Sequence, residues 1–369
     1  MNTNRRDFLW QTAALMMSCS LTGYGKEPSD SGLNLNRLMK PIQKHSVLRS
    51  DDWFIWGGGM VRTPDGVCHL IFARWPKAKG FNAWVTHSEI AYATSRDPLG
   101  PYQVTGSLFE RRKGYWDADN LHNPLVLEFD GKYYLYYSGN YGNGEWWDHR
   151  NHQRLGVAVA DHPAGPWKRF DKPLLDVTPG SFDGLLVNSP TVARNRAGKY
   201  FMVYKGVSEG PMPFGGKVRM GLATADHPLG PWTKENITLF DHPTEQFPTD
   251  DNYIWFQDGC FYAIVKDYRG HYTQQARPGS QEKESLVLFT STDGREWKLA
   301  KHPFVSDFRI RWADGQISNR LHRLDQPQVW LENGKPAVLF LAVKEKDDKD
   351  DSDLSYNIHV DLRDKETGK

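Results

Sequence analysis

The stretch Arg219–Glu235, RMGLATADHPLGPWTKE, occurs in several versions along the chain, and this repetition constrains the fold more than any single motif. Ser88–Val104 reads SEIAYATSRDPLGPYQV, Arg154–Phe170 reads RLGVAVADHPAGPWKRF, and Ser285–Ala300, SLVLFTSTDGREWKLA, is a degenerate fourth copy. Pro98, Pro163 and Pro228 recur at intervals of 65 residues, and Asp293 falls one interval later. Each copy opens as a short alternating strand and stops at a turn of Asp, Pro and Gly, whose fixed or positive φ cannot continue a ladder. The aromatic after the turn, Tyr102, Trp167, Trp232 or Trp297, opens a second strand, so each copy is a hairpin.

Upstream of each lies another hairpin: Asn123-PLVLEFDGKYYLYYSG, Ser189-PTVARNRAGKYFMVYKG and Asp251-NYIWFQDGCFYAIVKD, with partial matches from Gly58 and Gln326. β-rich runs flanking Asp-Gly, Asn-Gly or Ala-Gly are a strong hairpin signal. Two hairpins make one four-stranded antiparallel sheet, and there are five such units. A lone meander would leave both faces wet, so the chain reads as all-β, a five-bladed β-propeller.

The first residues, 1–21, carry Arg5-Arg6-Asp7-Phe8-Leu9 ahead of an apolar run too short to span a membrane. They resemble a twin-arginine export signal, so the expected location is periplasmic or surface-attached. Met16-Met17-Ser18-Cys19 is a poor match to a lipoprotein box; lipid on Cys19 would be the sole link to a membrane. Residues 22–37 read as a flexible tether and 38–369 as one propeller domain, with Pro41–Arg49 supplying a strand that closes the ring. With 46 Lys+Arg against 45 Asp+Glu, no global field points to nucleic acid. Cys68 and Cys260 fall in blades one and four, which are not neighbours, so buried free thiols are expected.

In a propeller, the Asp-Gly turns lie on one face and the loops between strands two and three, and between blades, lie on the other. Those second loops are long here, for example Arg74–His87, Ser138–Gln153 and Asp267–Glu284, and they converge on a central funnel, the usual construction of a binding site. Trp84, Trp116, Trp146, Trp147 and Phe214 fall in such loops and are suited to stacking on sugar rings.

The A-T-S-R-D-P-L-G-P-Y hairpin end and the Asn123–Ser138 hairpin resemble the five-bladed glycoside hydrolases, above all families 43 and 117, over nearly the whole mature chain. Asp52-WFIWGG, Arg74-Trp75-Pro76 and Thr86-His87-Ser88-Glu89 are nearer to family 117. The resemblance implies the propeller and a sugar substrate. Family 43 places its catalytic carboxylates where the first strands of blades one, two and three begin. The equivalent starts, aligned on the Asp-Gly turns, are Gly58, Asn123 and Ser189, none a carboxylate, so that triad does not transfer.

Carboxylates elsewhere must then supply the chemistry. Asp250 and Asp251 open blade four and Asp325 precedes Gln326 in blade five, while Asp119 precedes blade two. Inverting hydrolysis needs a carboxylate that activates water and an acid that protonates the leaving oxygen. Asp251 is the favoured partner, with Asp119 or Asp325 as the other. His122 is a further proton donor or holder of a central water. The likeness to family 117 implies a histidine acid, for which His87 and His271 are also in place. Arg74, Lys205, Lys266 and Arg269, with Trp84, Trp116, His87, Asn123, Asp250 and Gln326, form the expected substrate-binding set, and the cations favour a uronate or sulfated sugar.

The sequence reading is thus an exported, exo-acting glycoside hydrolase on an oligosaccharide or polysaccharide fragment. A lyase acting beside a uronate carboxylate and a non-catalytic carbohydrate-binding propeller are the alternatives. No cofactor is required, although the central channel could hold a metal ion or an ordered water. Oligomeric state is not legible.

Overall fold

The structure, a computed structural model, describes residues 32–364 apart from 277, 280–283, 320 and 346–353. The expected export signal and Cys19 lie outside the described residues. Five four-stranded antiparallel sheets succeed one another along the chain, each a blade. Their inner strands are Trp53–Arg62, Asn120–Phe129, Leu186–Arg194, Thr249–Gln257 and Leu321–Glu332. Inner strands of successive blades pack against each other, and the first meets the fifth, closing the ring.

The repeated hairpin places the outer two strands of each of the first four blades. Its aromatic pins its own turn: Tyr102 OH donates to the Pro98 carbonyl at 2.9 Å, and Trp167 Nε1 donates to the Pro163 carbonyl at 3.0 Å. Blade five lacks a second hairpin of this kind. Its outermost strand is Val47–Arg49, paired antiparallel with Ser355–Asp361, so the beginning of the domain closes against its end. The folded part also begins earlier than residue 38. Leu35–Leu38 form a short helix capped by the Asn34 side chain, and Leu35 is fully buried in the main core. Cys68 and Cys260 are buried free thiols, as their positions in non-adjacent blades require.

Trp116 departs from its expected place in a binding loop. Its ring stacks on Tyr137 at 5.7 Å, over Gly139 and Gly156, where an added Cβ would lie 2.8 Å and 2.6 Å from the indole. Asp117 beside it accepts from Tyr137 OH at 2.8 Å and pairs with Arg112 and Arg169. Blade three repeats the arrangement: Phe182 packs on Tyr204 and over Gly221, while Asp183 accepts from Tyr204 OH at 3.0 Å and pairs with Lys234. Trp116 is therefore a packing element of the blade rather than part of the funnel wall.

Candidate functional site

Every inner strand carries the same defect at the end opposite the Asp-Gly turns. Between Trp56 and Gly59, His122 and Leu125, Asn188 and Thr191, Asp250 and Tyr253, and Asp325 and Gln328, the inner strand advances one residue more than its partner. Such a bulge re-aims a side chain. The residue inside each bulge has a left-handed backbone: Gly57 at φ 56°, Asn123 at 48°, Ser189 at 51°, Asp251 at 44° and Gln326 at 52°. Gly57, rather than Gly58, is thus the blade-one equivalent, one residue earlier than alignment of the turns places it. Only glycine adopts this conformation freely, so the other four are held there by their surroundings.

The bulge residues meet around the axis. Asn123 Nδ2 donates to Ser189 Oγ at 2.8 Å, and Gln326 Nε2 donates to Asp251 Oδ1. An added Cβ on Gly57 would lie 3.2 Å from the Gln326 Cβ, so a larger residue would crowd the ring. Together with Pro124, Pro190 and Pro327 they leave a void of about 10 Å³, room for about one water. A larger cavity of about 640 Å³ opens on the Asp-Gly side, lined by the far halves of the inner strands. The void lies within the ring of bulge residues and adjoins the larger cavity at Tyr253 and Gln328, which line both.

The residue before each bulge points to a neighbour instead. Asp250 pairs with Lys205 at 2.7 Å and Asp325 with Lys266 at 2.6 Å, with Arg323 at 3.5 Å from its other oxygen. Lys205 lies over the Phe247 ring, and Lys266 over Tyr268 and Phe308. On the opposite side, His122 Nδ1 lies 2.9 Å from Asn120 Nδ2 and its Nε2 lies 2.9 Å from Gln153 Oε1, which also accepts from Asn188 Nδ2 at 2.7 Å. This network assigns His122 as the neutral tautomer with its proton on Nε2. Burial agrees, pushing its pKa down to about 4. The Asn188 Oδ1 is buried without a hydrogen-bond partner among the described residues.

The carboxyls are not equivalent. Burial, then the charges of Asp250 and Asp325, push Asp251 up to about 8, so it holds a proton at neutral pH. Burial would do the same to Asp325, but Lys266 and Arg323 hold it below the usual carboxylate range. Lys266 is only 2% exposed in its side chain, yet the Asp325 carboxylate outweighs that burial and keeps it charged. Glu284, absent from the sequence-derived set, lies beside this group, where burial raises its pKa against the pull of Lys266.

An aromatic ridge borders the funnel. Trp84 meets His122 at 5.2 Å and Trp146 at 5.9 Å, Trp146 meets Trp147 at 4.6 Å, and Trp147 meets Phe214 at 4.8 Å, each edge to face. Trp146 is fixed by a bond from its Nε1 to the Asn82 carbonyl at 2.8 Å. Phe214, at the far end, is 62% exposed.

Of the residues expected from sequence, Asp250, Asp251, Asp325, Asn123, Lys205, Lys266 and Gln326 gather at the axis, with His122 and Trp84 at their edge. Asp119 stands apart, with Oδ2 accepting from the Gly142 N–H at 3.0 Å. His87 is 2.8 Å from Thr86 Oγ1, and burial, then Lys79, lowers its pKa. Arg74 is paired with Glu89 at 2.7 Å and lies over Trp53. Arg269 and His271 lie against Glu245, away from the floor. The sequence offered no signal for Glu284, which sits in a loop outside the repeat. Arg323 and Asn188 could have been found from their places three residues before Gln326 and one residue before Ser189, both positions of the repeat.

No known protein family matches the sequence, and no curated protein does. Solved structures do resemble the chain. One described as a glycoside hydrolase is 13% identical, covering 88% of this chain and 93% of its own at a TM-score of 0.61. A family 117 glycoside hydrolase of Zobellia galactanivorans is 17% identical over 88% of this chain and 90% of its own, TM-score 0.57. A Cellvibrio cellulosa α-L-arabinanase complexed with arabinohexaose is 15% identical over 84% and 92%, TM-score 0.54. At these identities the likeness establishes the five-bladed fold.

Proposed function

We propose that the protein is a glycoside hydrolase that removes a terminal sugar from a carboxylated or sulfated glycan fragment. The observation that carries this reading is the gathering of three carboxyls at one end of the axis in surroundings that drive them apart: Asp250 paired with Lys205, Asp251 bonded to Gln326, and Asp325 paired with Lys266 and Arg323. Carboxyls driven apart in this way divide into acid and base roles. The resemblance to structures described as glycoside hydrolases, one holding an oligosaccharide, supports a sugar as the substrate.

Asp251 is the proton donor to the leaving oxygen. Asp325 has its oxygens taken by two cations, and Glu284 is itself drawn toward its neutral form, so Asp250 is the carboxylate that activates water. The left-handed backbone at Asp251 sends the two side chains to opposite neighbours, Asp250 to Lys205 of blade three and Asp251 to Gln326 of blade five. The aromatic ridge offers a stacking surface. Arg323, 37% exposed in its side chain, is the cation placed to meet a substrate anion.

Export by the twin-arginine-like leader belongs to the same proposal, and fractionation of the expressing cell tests it. The activity is tested by incubating the mature protein with neutral, uronate-containing and sulfated oligosaccharides, following reducing-end release and ultraviolet absorbance. Release without absorbance, lost in Asp251→Asn, is expected. Absorbance from an unsaturated product would transfer the case to a lyase, and binding without turnover would leave a sugar-binding propeller.

A further inference from the structure

A second cluster lies away from the axis, on the loop joining blades three and four and on the loop after the second strand of blade four. His242 and Glu245 belong to the segment between strands Thr233–Leu239 and Thr249–Gln257, and His271 opens the short helix His271–Ala276 that follows strand Cys260–Asp267. The two imidazoles stack with centroids 3.9 Å apart and 10° between their planes. His271 Nε2 lies 3.0 Å from Glu245 Oε1, and one ligand atom from each of the three residues lies within 4.8 Å of the others. All three side chains are partly exposed, so solvent reaches them.

We propose that His242, Glu245 and His271 bind a divalent transition-metal ion of the zinc class, fastening the two loops together and leaving one coordination position open. Two imidazoles and a carboxylate are a borderline-soft set that suits zinc, and three protein ligands with an open fourth place are typical of its accessible sites. Ligands at about 2.0–2.1 Å from one ion, set at a right or tetrahedral angle, stand roughly 3 Å apart. The 3.0 Å between His271 Nε2 and Glu245 Oε1 has that value.

The surroundings hold the three side chains together, and binding turns the stacked imidazoles so that their in-plane nitrogen lone pairs converge on the ion. Thr244 Oγ1 lies 3.2 Å from His242 Nδ1, which leaves Nε2 as the ligand atom of that ring. Arg269 Nε lies 3.7 Å from Glu245 Oε2, leaving Oε1 to the ion. Asp241 Oδ1 accepts from the His242 N–H at 2.7 Å and pairs with Arg219 at the same distance. The second loop is fixed by Asp267, which accepts from Gly270 N at 3.0 Å, Thr273 N at 2.6 Å and Thr273 Oγ1 at 2.7 Å. The charge of Arg269 also acts on Glu284, which links the cluster to the funnel edge.

The test is calorimetric titration of the chelator-treated full-length protein with Zn²⁺, with Ca²⁺ as comparison, alongside thermal melts. One equivalent of Zn²⁺ bound in preference to Ca²⁺, with a rise in melting temperature, is expected. Glu245→Gln and His271→Asn should each weaken that binding at least tenfold, whereas the exposed-site control His45→Ala should leave it unchanged. Melts of the metal-free variants show whether each is folded. Absence of Zn²⁺ binding in the parent, equal affinity in folded Glu245→Gln and His271→Asn, or equal affinity for Ca²⁺ would overturn the proposal.

Discussion

Gln326 of blade five donates its side-chain amide to Asp251 of the adjoining blade four beside the propeller axis, each residue occupying the left-handed position of its own strand's bulge. The bond leaves the second Asp251 oxygen to carry the proton that burial retains. Asp251→Asn preserves the shape and cannot donate that proton to a leaving oxygen. Turnover should fall by about 10²–10⁴-fold, the range of a general acid–base contribution, with substrate binding retained. In the parent, kcat should fall as pH rises through about 8, where Asp251 loses its proton; a pH–rate profile reads this limb directly.

The same group ties stability to pH. Its carboxyl titrates at 3.8 ordinarily and at about 8 in the folded protein. Between those values the unfolded chain releases the proton while the folded chain keeps it. Stability therefore falls as pH rises through that window, by up to about 1.4 kcal/mol per pH unit from this group. Asp251→Asn removes the linkage, so urea midpoints measured at about pH 5 and about pH 7.5 should diverge less in the variant than in the parent.

Lys266 tests the buried charges. It is paired with Asp325 at 2.6 Å, and the side chains are 2% and 5% exposed. Lys266→Met leaves Asp325 with Arg323 alone and should cost about 3 kcal/mol, the lower end for breaking a buried pair. Lys266→Met combined with Asp325→Leu should recover part of the loss, because no carboxylate is left buried and unpaired and Arg323, 37% exposed in its side chain, can turn to water. Denaturant midpoints of the parent and both variants decide it.

The repeat made the blades legible because the hairpin signal sits in turn residues, and Pro98, Pro163 and Pro228 carry it at constant spacing. The closing strand was legible too: Pro41–Arg49 was expected to supply it, and Val47–Arg49 within that stretch pairs with Ser355–Asp361. The axial ring was only half legible. Asn123, Ser189, Asp251 and Gln326 align in the sequence, but their left-handed backbone comes from the bulge, which no local propensity dictates for Ser or Gln. Trp116 was assigned to the funnel because it lies in a long loop. The register Trp116 to Phe182, Tyr137 to Tyr204 and Gly156 to Gly221 marks it as a repeated packing unit. Glu284 has no repeat partner, and tertiary placement alone brings it beside Lys266.

That distinction between packing and ridge aromatics can be measured. Trp116 fills the space over Gly139 and Gly156, so Trp116→Ala should leave a cavity and cost about 2–4 kcal/mol in urea unfolding. Phe214 is 62% exposed and meets its neighbours only at the end of the ridge, so Phe214→Ala should shift stability by less than about 0.5 kcal/mol. Kinetics should show the reverse order. The ridge runs from His122 at the funnel floor through Trp84, Trp146 and Trp147 to Phe214. A substrate long enough to reach its far end stacks there, whereas a short one does not. Phe214→Ala should therefore raise KM severalfold for longer oligosaccharides, consistent with about 1 kcal/mol of lost stacking, and leave the shortest substrate unaffected. Equal effects on both lengths would place Phe214 outside the substrate's path and confine recognition to the floor.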